Sequence, residues 1–344
     1  MRGSQNEGIA RHSATRIRSV TGCVSSGMQK HVIAFALTFL AVAGGAAEVK
    51  TGGVKMIEVD GKYHVWTDRV GHGPIKMLTL HGGPGFPHDY FECFEDFLPQ
   101  HGIQFYYYDQ LGVGNSDVPD DASLWTVARY RNEVEQVRKG LGLDHFVLYG
   151  HSWGGMLAIE YALEHQDHLK ALIISDMTAG IASYEKYAAT LLAELSEADR
   201  KTLAKYEAAG NYDAPEYQEI MMGKVYAAHL LRLDPWPEPA ARAFKKFNQK
   251  IYNVMQGPNE FVISGNFKDW DRWAHLHKIK VPTLIIVGRH GTMSPDDIRR
   301  MGKLIPHSRV VITEGSHLEM YDDQERYFRE VVKFIKDVEA GKVK

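Results

Sequence analysis

The chain predicts an α/β-hydrolase fold: a mostly parallel sheet flanked by helices, with an inserted helical cap. Three observations lead there. Short apolar runs alternate with helical stretches, a Gly-x-Ser-x-Gly turn follows one of those runs, and one interval of about a hundred residues breaks the alternation with helical periodicity alone. The composition agrees, since 344 residues at 44% hydrophobic and 24% charged describe a globular chain.

The N-terminus is read first, because it must be set aside. Residues 28–47 run from a basic flank through about 14 apolar residues to small residues, the pattern of a secretory signal. That run is too short for a bilayer-spanning helix, which needs roughly 20 residues. We therefore expect residues 1–47 to be leader and signal peptide. The expected location is periplasmic or secreted, with no stable membrane association once the signal is removed. Residues 1–47 hold five Lys/Arg and one Glu, so the 297 residues that follow carry a net charge of −7. Such a chain offers no broad basic field for nucleic acid. Cys23 and Cys93 form no metal or disulfide framework, and the expected cofactor is none. Oligomeric state is not legible.

Beyond the leader, residues 54–59 and 63–68 alternate around Asp60-Gly61 and predict an opening hairpin. Residues 77–80, 104–108, 146–149, 169–175, 282–287 and 309–313 predict strands buried on both faces. Helices are expected over 124–141, 156–165, 295–304 and 322–338, and in the cap over 184–195, 217–231 and 239–255. The hydrolase core is then 48–177 with 280–344, and the cap is 178–279.

The chemistry gathers at three turns. Gly150-His151-Ser152-Trp153-Gly154 follows a buried strand and opens a helix, which is the setting of a nucleophile elbow. Ser152 is the expected nucleophile. His81-Gly82-Gly83-Pro84-Gly85 follows an earlier strand, and the N–H groups of Gly83 and Trp153 are the expected oxyanion hole. Gly315-Ser316-His317 follows the last strand, so His317 is the expected general base.

LHGGPGFPHDYF (80–91), YYDQLGVGNSD (107–117), GHSWGG (150–155), MQGPNEFVISGNFKDWD (255–271) and GSHLEMYDD (315–323) together resemble the proline iminopeptidase family of α/β-hydrolases. The resemblance implies release of an N-terminal residue, commonly proline, from small peptides or amino-acid amides, with Glu260 holding the substrate's free amine. It also implies an acid in a segment of the form GRxDxxxP. Here residues 288–295 read GRHGTMSP, so Gly291 stands where aspartate is expected, and Thr292 where some members carry a second amine-binding glutamate. Loss of that acid in a serine hydrolase can cost on the order of 10⁴ in turnover, roughly 5–6 kcal/mol. Three explanations of the substitution compete: a variant with lost or impaired activity, a natural member turned towards ligand binding as a pseudoenzyme, or another carboxylate in the acid's place. Asp176, at the end of the strand 169–175, is the substitute to consider; Asp296 and Asp297 fit the first turn of a helix. A carboxylesterase, whose substrates need no free amine, is the alternative within enzymes.

Overall fold

The computed structural model describes residues 52–343. The signal-peptide reading falls outside them. Eight strands, β1 (Lys55–Val59), β2 (Tyr63–Val70), β3 (Ile75–Leu80), β4 (Ile103–Tyr108), β5 (Phe146–His151), β6 (Leu169–Ser175), β7 (Thr283–Gly288) and β8 (Ser308–Thr313), form one sheet in the order β1-β2-β4-β3-β5-β6-β7-β8. The β1–β2 and β2–β4 pairs are antiparallel and the rest are parallel. The hairpin turns at Asp60 and Gly61, both at positive φ, as the Asp-Gly pair predicts.

Val, Ile and Leu runs that read as continuous rather than alternating are buried on both faces, because helices cover each side. One face packs on α1 (Val127–Leu141), α2 (Trp153–His165) and α9 (Pro295–Leu304). The other packs on the 3-10 segment His88–Asp96 and on α11 (Gln324–Glu339), which follows the short α10 (Glu319–Asp322). Helix α1 starts at Val127, three residues later than expected, because the Thr126 side chain accepts the Arg129 N–H and caps it there.

Between β6 and β7 the chain forms helices: α3 (Ile181–Leu192), α4 (Glu197–Ala208), α5 (Pro215–Ile220), a π-helical turn Met221–Tyr226 running into α6 (Ala227–His229), α7 (Glu238–Lys245) and α8 (Gln249–Met255). Two expectations are corrected here. The helix expected over 217–231 changes winding at Met221, and that over 239–255 is two helices, divided where Asn248 leaves the helical backbone and caps α8 with its side chain. Helix α4 was not expected at all. With one buried residue, Leu203, it carries almost no apolar periodicity to read.

The chain leaves β3 for β4 on one side and returns to β5 on the other. The loops after β3 and β5 therefore meet at a switch point on the carboxyl edge, where open α/β sheets bind their ligands.

Candidate active site

Ser152 lies between β5 and α2 with φ 55° and ψ −126°. A non-glycine residue there stores strain of about 1–3 kcal/mol, and close packing holds it. A Cβ on Gly150 would lie 2.0 Å from the Gly154 carbonyl oxygen, and one on Gly154 would lie 2.0 Å from that of Leu80. Only glycine permits either approach, which explains the motif sterically. The Ser152 N–H donates to Ser175 O at 2.9 Å, tying the elbow to β6.

Opposite the elbow, Gly83 has φ 112°. The neighbouring Gly82 N–H donates to the Tyr90 hydroxyl at 2.6 Å. No hydrogen bond among the described residues takes up the Gly83 N–H. The Trp153 N–H belongs to the first turn of α2, where helix geometry leaves donors without an intrahelical partner. Gly82 and Gly83 face, with Ser152, His317 and Glu260, a cavity of about 210 Å³ that opens to solvent. Its remaining wall is largely apolar: Phe86, Phe244, Phe247, Met221, Met222 and Leu230 contribute.

His317 is 3% exposed and sits in the loop after β8, which the cap grips: its N–H donates to His229 O, and the Leu318 N–H to Leu230 O. Burial, and secondarily the proximity of His151, hold its pKa well below the usual histidine range. The imidazole Nδ1 lies 2.9 Å from Thr292 Oγ1, while Nε2 lies 4.0 Å from Glu260 Oε1. Ser152 and His317 line the same cavity, and among the described residues no hydrogen bond joins the ring to Ser152 Oγ; catalytic hydrogen bonds often tighten only when substrate is bound. The ring's backbone is set from behind: Tyr90 OH and His151 Nδ1 are 3.1 Å apart, and His151 Nε2 and His317 O are 2.8 Å apart. Because the carbonyl only accepts, His151 carries its proton on Nε2. Nδ1 then accepts a hydrogen bond from the Tyr90 hydroxyl, whose oxygen in turn accepts from the Gly82 N–H. This directed chain links both glycine-rich turns to the histidine loop.

Gly291 lies in the loop after β7, with a backbone conformation open to any residue. A Cβ there would lie 3.0 Å from Asp176 Oδ1 and 3.2 Å from both Gly288 O and His317 N. Asp176 is fully buried at φ 47°, and its Oδ1 is 3.9 Å from His317 Nδ1, beyond hydrogen-bond range. It is beside the imidazole without bonding to it. Oδ1 instead accepts the Gly288 N–H at 3.3 Å. Oδ2 and Glu319 Oε1 are both buried without a hydrogen-bond partner, while Glu319 Oε2 accepts from Thr313. Burial raises both pKa values: that of Asp176, helped by the adjacent Glu319, well above the usual carboxyl range, and that of Glu319, helped by Asp322 and Asp323 against its contacts with Thr313 and Asp176, to about 8. A proton shared between Oδ2 and Oε1 accounts for both orphaned oxygens. Asp296 and Asp297 occupy the first turn of α9.

Glu260 projects from the cap and is 12% exposed. Burial raises its pKa; the hydroxyls of Tyr184, Tyr252 (3.1 Å) and Thr292 (3.3 Å) donate to it and act in the opposite direction. Sequence reasoning missed Tyr90, His151, Tyr184, Tyr252 and Glu319, and treated Thr292 only as an absent glutamate. Of these, His151 alone carried a local signal, as the variable position of the elbow motif.

In comparisons with known proteins, a family model described as alpha/beta hydrolase fold matches residues 77–324. The proline iminopeptidase of Chitinophaga pinensis is 46% identical over 285 residues, covering 81% of this chain and 95% of that protein. That of Flavobacterium johnsoniae is 44% identical over 288 residues, covering 82% and 97%. Among solved structures, the proline iminopeptidase of Mycobacterium smegmatis superposes with a TM-score of 0.77 at 28% identity, covering 84% of this chain and 99% of that one.

Proposed function

The chain belongs to the proline iminopeptidase family of α/β-hydrolases, and from that premise we propose that it is a serine aminopeptidase. It releases an N-terminal residue, proline favoured, from small peptides or amino-acid amides, at a rate held down by Gly291. The observation that carries this reading is one cavity wall shared by a hydroxyl on a strained elbow, a buried imidazole and a single carboxylate. The apolar remainder of the cavity suits a substrate whose body is hydrophobic and whose only charge is its ammonium.

His317, kept neutral by its burial, takes the Ser152 proton through Nε2 once ring and hydroxyl are brought within hydrogen-bond reach. Ser152 Oγ attacks the scissile carbonyl, and the Gly83 and Trp153 N–H groups receive the developing oxyanion. His317 returns the proton to the leaving amine, and water resolves the acyl-enzyme by the same route. Glu260 pairs with the substrate ammonium and so fixes the distance from the chain's free end to the bond that breaks.

The test compares proline arylamide with its N-acetylated analogue. Turnover of the free amine alone is expected. Equal turnover of the blocked compound would remove the aminopeptidase reading in favour of an esterase or amidase without amine recognition. Absence of both turnover and fluorophosphonate labelling of Ser152, with ligand still bound, would indicate a binding protein.

A further inference from the structure

Position 291 offers no carboxylate, yet His317 Nδ1 is not left bare. Thr292 Oγ1 occupies hydrogen-bond range at 2.9 Å, in a side chain with no solvent exposure. The same oxygen is 3.3 Å from Glu260 Oε1. A hydroxyl has one proton to give. A carboxylate can only accept, so that proton points to Glu260, and the threonine lone pair is left for Nδ1. The imidazole must then carry its proton on Nδ1, which places the free lone pair on Nε2, the atom that has to act as base.

We propose that Thr292 is the positioning residue of this site: it accepts the His317 Nδ1–H and donates to Glu260, so that the carboxylate assigned to the substrate amine also orients the base. The inference rests on the catalytic roles proposed above for His317 and Glu260. The threonine proton stays on its oxygen throughout. When Nε2 takes the serine proton, the imidazolium is stabilised by the Thr292 dipole and, behind it, by the negative charge of Glu260. Asp176 is the competing orienting group. Its Oδ1 stands 3.9 Å from Nδ1 and is committed to the Gly288 N–H, so it does not supply the acceptor.

One consequence is a coupling between recognition and chemistry. A substrate with a free amine binds to the carboxylate that holds the threonine proton in its orienting direction. A substrate lacking the amine leaves that carboxylate unpaired in a partly buried site.

The deciding measurement is ¹⁵N NMR of the free protein's imidazoles, with His317 assigned by the signal lost in His317→Gln, alongside proline arylamide kinetics. The expected wild-type tautomer is Nδ1–H. Thr292→Ser should keep it and retain kcat within about threefold, whereas Thr292→Val should mix or invert the tautomer and lower kcat by roughly 10- to 100-fold with little change in KM, short of the ~10⁴ associated with an ionised acid. An Nε2–H tautomer in the wild type, or Nδ1–H persisting in a folded Thr292→Val, would overturn the proposal. The NMR result stands even if proline arylamide is not cleaved at all, in which case the failure belongs to the functional reading instead.

Discussion

A carboxylate restored at position 291 has to enter a space that Asp176 already borders. The Cβ would lie 3.0 Å from Asp176 Oδ1, close enough that the neighbour must give by a few tenths of an ångström, while the backbone itself imposes no penalty. Gly291→Asp should therefore fold, reach Nδ1 in competition with Thr292, and raise proline arylamide turnover by at least ~10²-fold, a conservative fraction of what such an acid contributes elsewhere. Adding Asp176→Asn removes the adjacent carboxyl and should increase the gain. If neither variant is faster than the parent, the missing acid does not limit turnover. Glu260 and His317 predict opposite pH responses. Burial keeps His317 neutral well below its usual range, so kcat should hold as the pH falls towards 5, a range in which an unperturbed histidine of pKa about 6.5 would already be charged. Glu260, with its pKa raised, loses its charge earlier than an ordinary glutamate, so KM should climb first on acidification. A kcat that collapses before KM moves would contradict both assignments. Ser152, His317, Gly291 and Glu260 were legible because each sits in a motif with a local steric or chemical signature. Thr292, Tyr90 and Glu319 were not, since their importance lies in contacts across 8 to 143 residues of sequence, such as Thr292 to His317 and Glu319 to Asp176.

Among the elements, the strands were the most readable, because uninterrupted apolar runs have no other stable place than a doubly covered sheet. All eight were found to within three residues at either end. The cap resisted because its helices bury less: α4 keeps one residue inside, and the π-helical turn at Met221–Tyr226 shifts the buried face partway along a helix. What fastens α7 to the core was equally hidden. Arg242 and Lys246 both reach Asp89 Oδ1, at 2.6 and 2.7 Å, and Arg242 also pairs with Glu92 and Glu238. Asp89 is 2% exposed and its pKa is lowered, against the effect of its burial, by Lys246 and then Arg242. The two cations are a third to a half exposed, so their attraction is screened, and the clasp is worth about 1–2 kcal/mol rather than the larger value of a buried pair. Asp89→Asn should lower Tm by roughly 2–6 °C. Because α7 carries Phe244 and Ala243 into the cavity wall, it should also raise KM for proline arylamide while leaving kcat nearly unchanged. A Tm drop with unaltered KM would mean that α7 holds its place without the clasp.

Across the whole molecule, the buried Asp176–Glu319 pair ties stability to pH in a direction opposite to that of most surface carboxylates. In the unfolded chain both groups ionise near the ordinary carboxyl range of about 4. In the fold, burial, with Asp322 and Asp323 beside it, keeps Glu319 protonated until about pH 8, and burial beside Glu319 holds the Asp176 carboxyl well above its usual range. Between those limits the native state binds more protons than the unfolded state, so stability falls as pH rises, and the Glu319 share is gone once the pH exceeds about 8. A lowered carboxyl such as Asp89 works the other way, contributing above its unfolded pKa and losing its effect only in acid. Denaturant midpoints should therefore decline from about pH 5 to about pH 8 in the parent, and Glu319→Gln, whose amide can donate to Asp176 Oδ2 with no proton to lose, should flatten that decline. A parent whose midpoint is level over this interval would show that the two carboxyls do not share a proton. The same pair bears on the active site: a third carboxyl at position 291 would raise the cost of ionising either member. Gly291→Asp should accordingly steepen the decline, and Gly291→Asp with Asp176→Asn should bring it back towards the parent's slope, since Glu319 stays buried. Gain of turnover would then come without added alkaline instability only in the double variant, because the space that suits a catalytic aspartate is bordered by a carboxyl whose ionisation folding disfavours.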